Sequence, residues 1–142
     1  MQCVVLDASV LLKWVLPSAK EAHVEQALAL QTAIAVDEIR ACVPTLWFYE
    51  VANSLARQLP DSASFLLDQL RAFDLDEIGM DAELQRIALQ LVRECGVTFY
   101  DASYHAIAIA QDGMFVTSDA RHIERTRTVG HVAHLADWPL PA

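Results

Sequence analysis

The sequence predicts an α/β fold, with a mainly parallel central sheet of four to five strands flanked by helices. Short β-branched and apolar runs alternate with segments of helical periodicity, and the connections between them are short. This alternation is typical of a parallel sheet that is covered on both faces. The 142 residues match the size of one ordinary domain, contain no repeat and show no linker, so we expect a single domain over 1–142.

The predicted strands are short runs bounded by turn residues. They cover Gln2–Leu6, 41–43, 75–80, Met114–Thr117 and 129–135. In the third of these runs, Asp76 and Glu77 interrupt the apolar pattern. The first run is apolar throughout, as expected for a strand that is buried on both faces.

Capping residues and apolar periodicity predict helices between the strands. Ser18 and Glu21 have the Ser-x-x-Glu spacing of a capping box, which predicts a helix over 18–35. Pro44 suits the first turn of the following helix, over 44–59. A further helix is predicted over 81–95, with Asp81 as its N-cap and Gly96 just beyond its end. The other predicted helices cover 8–15, 61–73 and 98–111, and a short helical turn covers 119–124.

Composition limits the classes of function. Ten Lys and Arg against 19 Asp and Glu leave a net charge of −9, which argues against coating nucleic acid by bulk electrostatics. No apolar stretch approaches the roughly 18–20 residues that cross a bilayer, and the N-terminus lacks the basic start of a signal peptide. We expect a cytoplasmic protein without a membrane partner. The three cysteines lack the spacing of a zinc site or a CxxC motif and do not suggest a disulfide framework. Cys3, Cys42 and Cys95 are therefore interpreted as buried thiols.

Four acidic residues lie beside strongly apolar sequence. Asp7 and Asp119 follow predicted strands, Glu50 lies in an apolar helix, and Asp101 lies at a helix start. In parallel α/β sheets, ligands gather at the carboxyl ends of the strands, which is where Asp7 and Asp119 emerge. Carboxylates held close together repel, and one or two divalent cations offset that repulsion. A carboxylate-only metal site indicates phosphoryl chemistry.

Each acid also has a purely structural interpretation. Asp7 and Asp119 can cap the helices that follow them, and Asp101 can be the acidic partner of Thr98 in a capping box. Three caps would therefore account for three of the acids without any chemistry.

Glu50 belongs to a polar stripe with Asn53, Ser54 and Arg57 at i, i+3, i+4 and i+7. This stripe can face solvent or a charged cleft, and helical periodicity alone leaves both alternatives open.

The order of four sequence blocks resembles the PIN-domain ribonucleases of the VapC toxin type. The blocks read VLDASVLLKW (5–14), PTLWFYEVANSL (44–55), TFYDASY (98–104) and VTSDAR (116–121). Each block alone is a weak signal, but four in this order and spacing are specific. The resemblance runs nearly end to end and implies the three-layer PIN-like fold.

By this resemblance, Asp7, Glu50, Asp101 and Asp119 bind Mg²⁺ or Mn²⁺ and cleave RNA, with Asp7 and Asp101 as the foremost metal ligands. Hard oxygen ligands suit Mg²⁺, and a cation-activated water can attack a phosphodiester in line. The function it implies is a metal-dependent endoribonuclease, the toxin of a VapBC-type toxin–antitoxin pair.

Smaller polar residues complete the implied site. Ser9, Asn53 and Thr117 match polar positions beside the acids and are expected to orient a carboxylate or a water. Arg121, in the locally basic segment 119–134, is the candidate phosphate contact, although such a segment can equally be a solvated surface. His105 stands one turn after Asp101 and is interpreted as a packed helix histidine outside the site.

The resemblance also implies an RNA substrate, a cognate antitoxin and a homodimer. The aromatic residues Trp14, Trp47, Phe65 and Phe73 would suit such interfaces, or could equally fill the core.

Two other classes remain as alternatives. A phosphatase of the haloacid dehalogenase type also places an Asp after its first strand, but Ser9 stands where that family has a second Asp. A catalytically silent PIN-like binding module is the other alternative, and the presence of all four acids argues against it.

Overall fold

The computed structural model describes residues 1–139 and contains a five-stranded sheet in which every paired neighbour is parallel, in the order β3-β2-β1-β4-β5. The strands are β1 (Gln2–Leu6), β2 (Ile39–Pro44), β3 (Asp76–Ile78), β4 (Met114–Thr117) and β5 (Val132–His134). The strand β1 lies at the centre, and Val4, Val5 and Leu6 are fully buried. All five predicted strands are confirmed, and the central position of β1 places its carboxyl end, at Asp7, in the middle of the sheet edge.

Seven helices connect and cover the described strands. They are α1 (Ala8–Lys13), α2 (Val24–Ala35), α3 (Leu46–Gln58), α4 (Ala63–Arg71), α5 (Ala82–Cys95), α6 (Phe99–Ala110) and α7 (Ala120–Arg125), with 3₁₀ turns at Ser18–Lys20 and Leu135–Asp137. The predicted fold class, a mainly parallel sheet flanked by helices, is confirmed. No helix within residues 1–139 combines the length and the apolar character needed to cross a membrane.

The predicted capping box at Ser18 is wrong. Ser18 begins a 3₁₀ turn, and α2 begins only at Val24, after His23 in the left-handed region with φ 58°. Glu21 does not complete a capping box; its carboxylate accepts a 3.2 Å hydrogen bond from Lys13 Nζ. With His23 in the left-handed region as its N-cap, the helix begins six residues later than the sequence pattern predicts.

The predicted position of Pro44 is also wrong. Pro44 is the last residue of β2, where it pairs with Ile78 of β3, and α3 begins at Leu46. As a proline it has no amide hydrogen to donate to the ladder, and the strand ends at this residue. The helix that carries Glu50 therefore begins two residues later than predicted.

The limits of α5 agree with the prediction. Asp81 accepts a 2.8 Å hydrogen bond from the Leu84 amide at the N-terminus, and Gly96 ends the helix with φ 70°.

Close packing requires a glycine at position 113, because a Cβ on Gly113 would lie 2.2 Å from the Cys3 carbonyl oxygen. This contact lets the chain enter β4 directly against β1.

The aromatic residues divide between the core and the surface. Trp47 is buried, and Trp14 and Phe73 pack against each other with ring centroids 4.9 Å apart beside the core. Phe65 is exposed over 65% of its surface. Cys3 and Cys42 are buried free thiols, as interpreted from the sequence, and Cys95 is a half-buried one.

Candidate active site

Asp7 is held rigidly at the carboxyl end of the central strand. Its amide donates to the Val116 carbonyl of β4 at 3.1 Å. Its Oδ2 accepts two hydroxyl hydrogen bonds, from Ser9 Oγ at 2.6 Å and from Thr117 Oγ1 at 2.9 Å. Because both hydroxyls bind the same oxygen, the orientation of the carboxylate is set while Oδ1 is left to other partners.

The charge on Asp7 is unfavourable in the metal-free protein. Burial raises the pKa of Asp7, the hydrogen bonds from Ser9 and Thr117 oppose that rise, and the negative charge of Asp101 adds to it. Asp101 therefore lies close enough for its charge to act on Asp7. Two carboxylates in such proximity are stabilised by a bound cation.

Glu50 reaches the same region from α3. Tyr104 of α6 donates its phenolic hydrogen to Glu50 Oε1 at 2.6 Å. Burial raises the pKa of Glu50, the Tyr104 hydrogen bond opposes the rise, and the charges of Asp7 and Asp101 add to it. Burial and the neighbouring carboxylates also raise the pKa of Tyr104, so the phenol stays protonated and acts as a donor.

The contact between Tyr104 and Glu50 was missed by the sequence reasoning. The two residues are 54 positions apart, and no local pattern links them. The signal that could have suggested it is the i, i+3 spacing of Asp101 and Tyr104, which puts both on the same face of α6.

Asp101 lies in the first turn of α6. Its amide donates to Thr98 Oγ1 at 3.1 Å, so Thr98 caps the helix as predicted. Within residues 1–139, the Asp101 carboxylate makes no hydrogen bond back to the start of the helix, so the capping box is only half formed. The carboxylate thus has no structural partner that competes with a ligand.

Asp119 serves as the N-cap of α7. Its Oδ1 accepts from the amides of Arg121 at 3.0 Å and His122 at 3.2 Å. Its own amide donates to Thr117 Oγ1 at 3.0 Å. The Thr117 hydroxyl therefore links Asp119 to Asp7, since it donates to one and accepts from the other. Capping uses a single oxygen of Asp119 and is compatible with a second role.

A small cleft opens beside Asp101 and Asp119. Its volume is about 160 Å³. It is lined by Val97, Thr98, Asp101, Asp119, Arg121, His122 and Arg125. Arg125 donates to the Gly96 carbonyl at 2.9 Å, whereas the exposed Arg121 stands next to the acids. Arg121 therefore lines the cleft beside two of the acids, and its role as a phosphate contact stays a prediction.

The remaining predicted residue of the site, Asn53, is exposed on α3. No hydrogen bond joins it to Glu50 in the part of the chain that the structure describes, and Tyr104 makes that contact instead. A role for Asn53 in orienting Glu50 or a water stays a prediction.

The histidines of the basic segment make structural contacts. His131 Nδ1 lies 2.9 Å from the Gly113 carbonyl, and His134 accepts from the Ala136 amide. His122 Nε2 lies 3.0 Å from Nδ1 of the fully buried His105. Burial lowers the pKa of His105 to about 4, so it is neutral at pH 7 and belongs to the core, as interpreted from the sequence.

The donor set fits a hard divalent cation. The candidate ligands Asp7, Glu50, Asp101 and Asp119 offer carboxylate oxygens, the donors that Mg²⁺ and Mn²⁺ prefer. Among residues 1–139, no three Asp, Glu, His or Cys side chains already form a closed metal-binding group. An open arrangement is compatible with Mg²⁺, which keeps several waters and binds through one or two carboxylates.

The chain belongs to the PIN domain family, whose profile matches residues 4–128. It is similar to Ribonuclease VapC3 of Pyrobaculum aerophilum, with 29% identity over 128 residues that cover 85% of this chain and 92% of the relative. The family membership rules out the haloacid dehalogenase alternative.

Several solved structures share the fold. The toxin VapC20 of Mycobacterium tuberculosis, described as cleaving the sarcin–ricin loop, has a TM-score of 0.67 and 18% identity, covering 91% of this chain and 96% of that one. A toxin–antitoxin complex from Klebsiella pneumoniae has a TM-score of 0.65 and 14% identity, covering 93% and 97%.

Proposed function

We propose that this protein is a metal-dependent endoribonuclease that hydrolyses RNA phosphodiester bonds. The observation that carries the proposal is the convergence of Asp7, Glu50 and Asp101 on the carboxyl end of β1. The charge of Asp101 contributes to the raised pKa of Asp7, and the charges of Asp7 and Asp101 contribute to that of Glu50. Asp119 joins this group through Thr117. Membership of the PIN domain family and the similarity to a VapC ribonuclease support the nuclease class.

Asp7 and Asp101 are the residues that would hold Mg²⁺ or Mn²⁺, with Glu50 and Asp119 completing the set. When bound, the cation supplies an electrophile that offsets the carboxylate repulsion and stabilises the charge that develops on the phosphodiester. Ser9 and Thr117 fix the direction of Asp7, and Tyr104 does the same for Glu50. Because these carboxylates are already oriented, they do not have to reorganise during the reaction.

Arg121 would contact a substrate phosphate at the rim of the cleft. A local cation is needed because the net charge of −9 opposes the approach of RNA. Guanidinium groups suit this task since they donate to phosphate oxygens in a fixed geometry.

We further propose that the chain is one PIN domain over 1–142, acts in the cytoplasm as the toxin of a VapBC-type pair, and forms a homodimer. The structural similarity to a toxin–antitoxin complex supports an antitoxin partner. The exposed aromatic residues Tyr49, Phe65 and Tyr100 are available for such contacts.

Cleavage of structured RNA in Mg²⁺ or Mn²⁺ tests the proposal. We expect Asp7→Asn and Asp101→Asn each to lower the rate by about 100-fold or more, since each removes a carboxylate that would hold the cation. Asp81→Asn is the matched control, because it removes one negative charge at the N-cap of α5 and keeps the cap. Cleavage that survives chelation or both site variants would refute the proposal, and an inactive wild type would favour the silent binding module. Mapping the products from total RNA would then identify the substrate.

A further inference from the structure

His122 has a buried ring nitrogen that the proposed mechanism does not use. The residue is only 3% exposed and lines the cleft together with Asp101 and Asp119. Its Nδ1 is buried and has no hydrogen-bond partner among residues 1–139. A buried polar atom without a partner costs stability, so its presence in a cleft of acids requires an explanation.

The hydrogen bonds of the ring determine which nitrogen carries the proton. His105 Nε2 lies 2.8 Å from the Gly130 carbonyl, which can only accept, so this nitrogen bears the hydrogen. In neutral His105 the other nitrogen, Nδ1, is then an acceptor, and it lies 3.0 Å from His122 Nε2. His122 Nε2 must donate, which leaves a lone pair on Nδ1 of a neutral His122.

This arrangement is the one that metal-binding histidines show in proteins. Such a histidine donates its other ring N–H to a carbonyl, a carboxylate or another acceptor, which fixes the tautomer and the ring orientation. The His122 ring is held further by the Phe115 ring, at 5.4 Å between centroids and nearly perpendicular. The charges that act on His122 are those of Asp101, Asp119 and Asp7.

We propose that His122 Nδ1 is a nitrogen ligand for the divalent cation of the acidic cleft, alongside the carboxylate of Asp101 or Asp119. This inference rests on the proposed function in one respect, namely that the acidic cleft binds a divalent cation. An imidazole ligand favours Mn²⁺ and other transition metals over Mg²⁺, which prefers oxygen. His105 is the positioning residue, because its contact with His122 Nε2 fixes the tautomer in which Nδ1 carries the lone pair.

Pulsed EPR of the Mn²⁺-loaded protein tests this directly. We expect hyperfine coupling between Mn²⁺ and an imidazole nitrogen in the wild type. The wild-type spectrum decides the matter even if every variant fails to fold. Mn²⁺ that binds without nitrogen coupling, or no Mn²⁺ binding at all, would overturn the inference.

Two substitutions distinguish ligation from a merely structural role. His122→Asn keeps a polar atom near the position of Nδ1 and loses the contact with His105, whereas His122→Gln keeps one near Nε2 and loses the ligand. We expect both to abolish nitrogen coupling, and the Gln variant to bind Mn²⁺ about tenfold more weakly than the Asn variant. The reverse order of affinity would assign His122 to structure alone.

RNA cleavage is measured separately on the same proteins. Nitrogen coupling without RNA cleavage would refute the proposal that the protein is a ribonuclease, but not the proposal that His122 binds the cation. RNA cleavage without nitrogen coupling would refute the proposal for His122, but not the proposed ribonuclease activity.

Discussion

At the scale of single residues, hydrogen bonds hold the carboxylates of the site in fixed orientations, although their negative charge is unfavourable there. Ser9 and Thr117 hold one oxygen of Asp7, and Tyr104 holds one oxygen of Glu50. Burial nevertheless raises the pKa of both acids. The metal-free protein therefore sacrifices stability to keep these carboxylates in place, a compromise that is common at active sites.

Asp7→Asn should stabilise the metal-free protein. Asparagine can still accept from Ser9 and Thr117 but carries no charge, so we expect a gain of about 1 kcal/mol in the free energy of unfolding. The same variant should lose the rise in melting temperature that Mg²⁺ gives the wild type. Thermal unfolding with and without Mg²⁺ measures both effects, with Asp81→Asn as the control. A metal-free Asp7→Asn protein less stable than the wild type would contradict the prediction.

At the scale of elements, one residue performs both a capping and a charge role. Asp119 caps α7 through Oδ1 and stands at the cleft that Asp101 and Arg121 also line. The structural and chemical interpretations of this acid, which the sequence leaves as alternatives, are thus compatible. The cap is observed, and the chemical role is proposed.

Asp119→Asn and Asp119→Ala should separate these two roles. Asparagine is as good an N-cap as aspartate, so we expect the Asn variant to retain stability and the Ala variant to lose about 1 kcal/mol in urea unfolding. Both remove the charge and should lower RNA cleavage by a similar factor, about tenfold or more. An Asn variant with full cleavage would show that Asp119 is only a cap.

At the scale of the whole molecule, a chain of hydrogen bonds joins the core to the cleft. It runs from the Gly130 carbonyl through His105 to His122, which is the N3 residue of α7. Burial lowers the pKa of both histidines, to about 4 for His105. A histidine buried in its neutral form makes the stability of the fold depend on pH.

His105 should make the metal-free protein sensitive to acid. The pKa of His105 is about 4 in the fold against an ordinary 6.5. Its contribution to the free energy of unfolding is therefore complete above pH 6.5 and is lost as the pH falls through 4. The loss corresponds to roughly 3 kcal/mol. Urea unfolding from pH 7.5 to about 4 in chelator should show a shallower decline for His105→Gln than for the wild type. His23→Asn, at an exposed position, is the control, and equal slopes for His105→Gln and the wild type would refute the assignment.

Local patterns predicted much of this structure, because they depend on neighbours within one element. The apolar run before Asp7, the cap at Asp81 and Gly96 at the end of α5 were all read from short spacings and are present. Where a local pattern competed with a contact outside it, the prediction failed, as for Ser18, where Glu21 pairs with Lys13.

The sequence by itself determined the α/β class, the order of the four acidic blocks and the family to which they belong. Only the tertiary structure decided that β1 is central, that Tyr104 holds Glu50, and that His105 fixes the tautomer of His122. The physical reason is distance along the chain. Residues 17 to 110 positions apart meet here because β4 pairs with β1 and α6 packs against both strands, and no spacing within a single helix or strand reports such contacts.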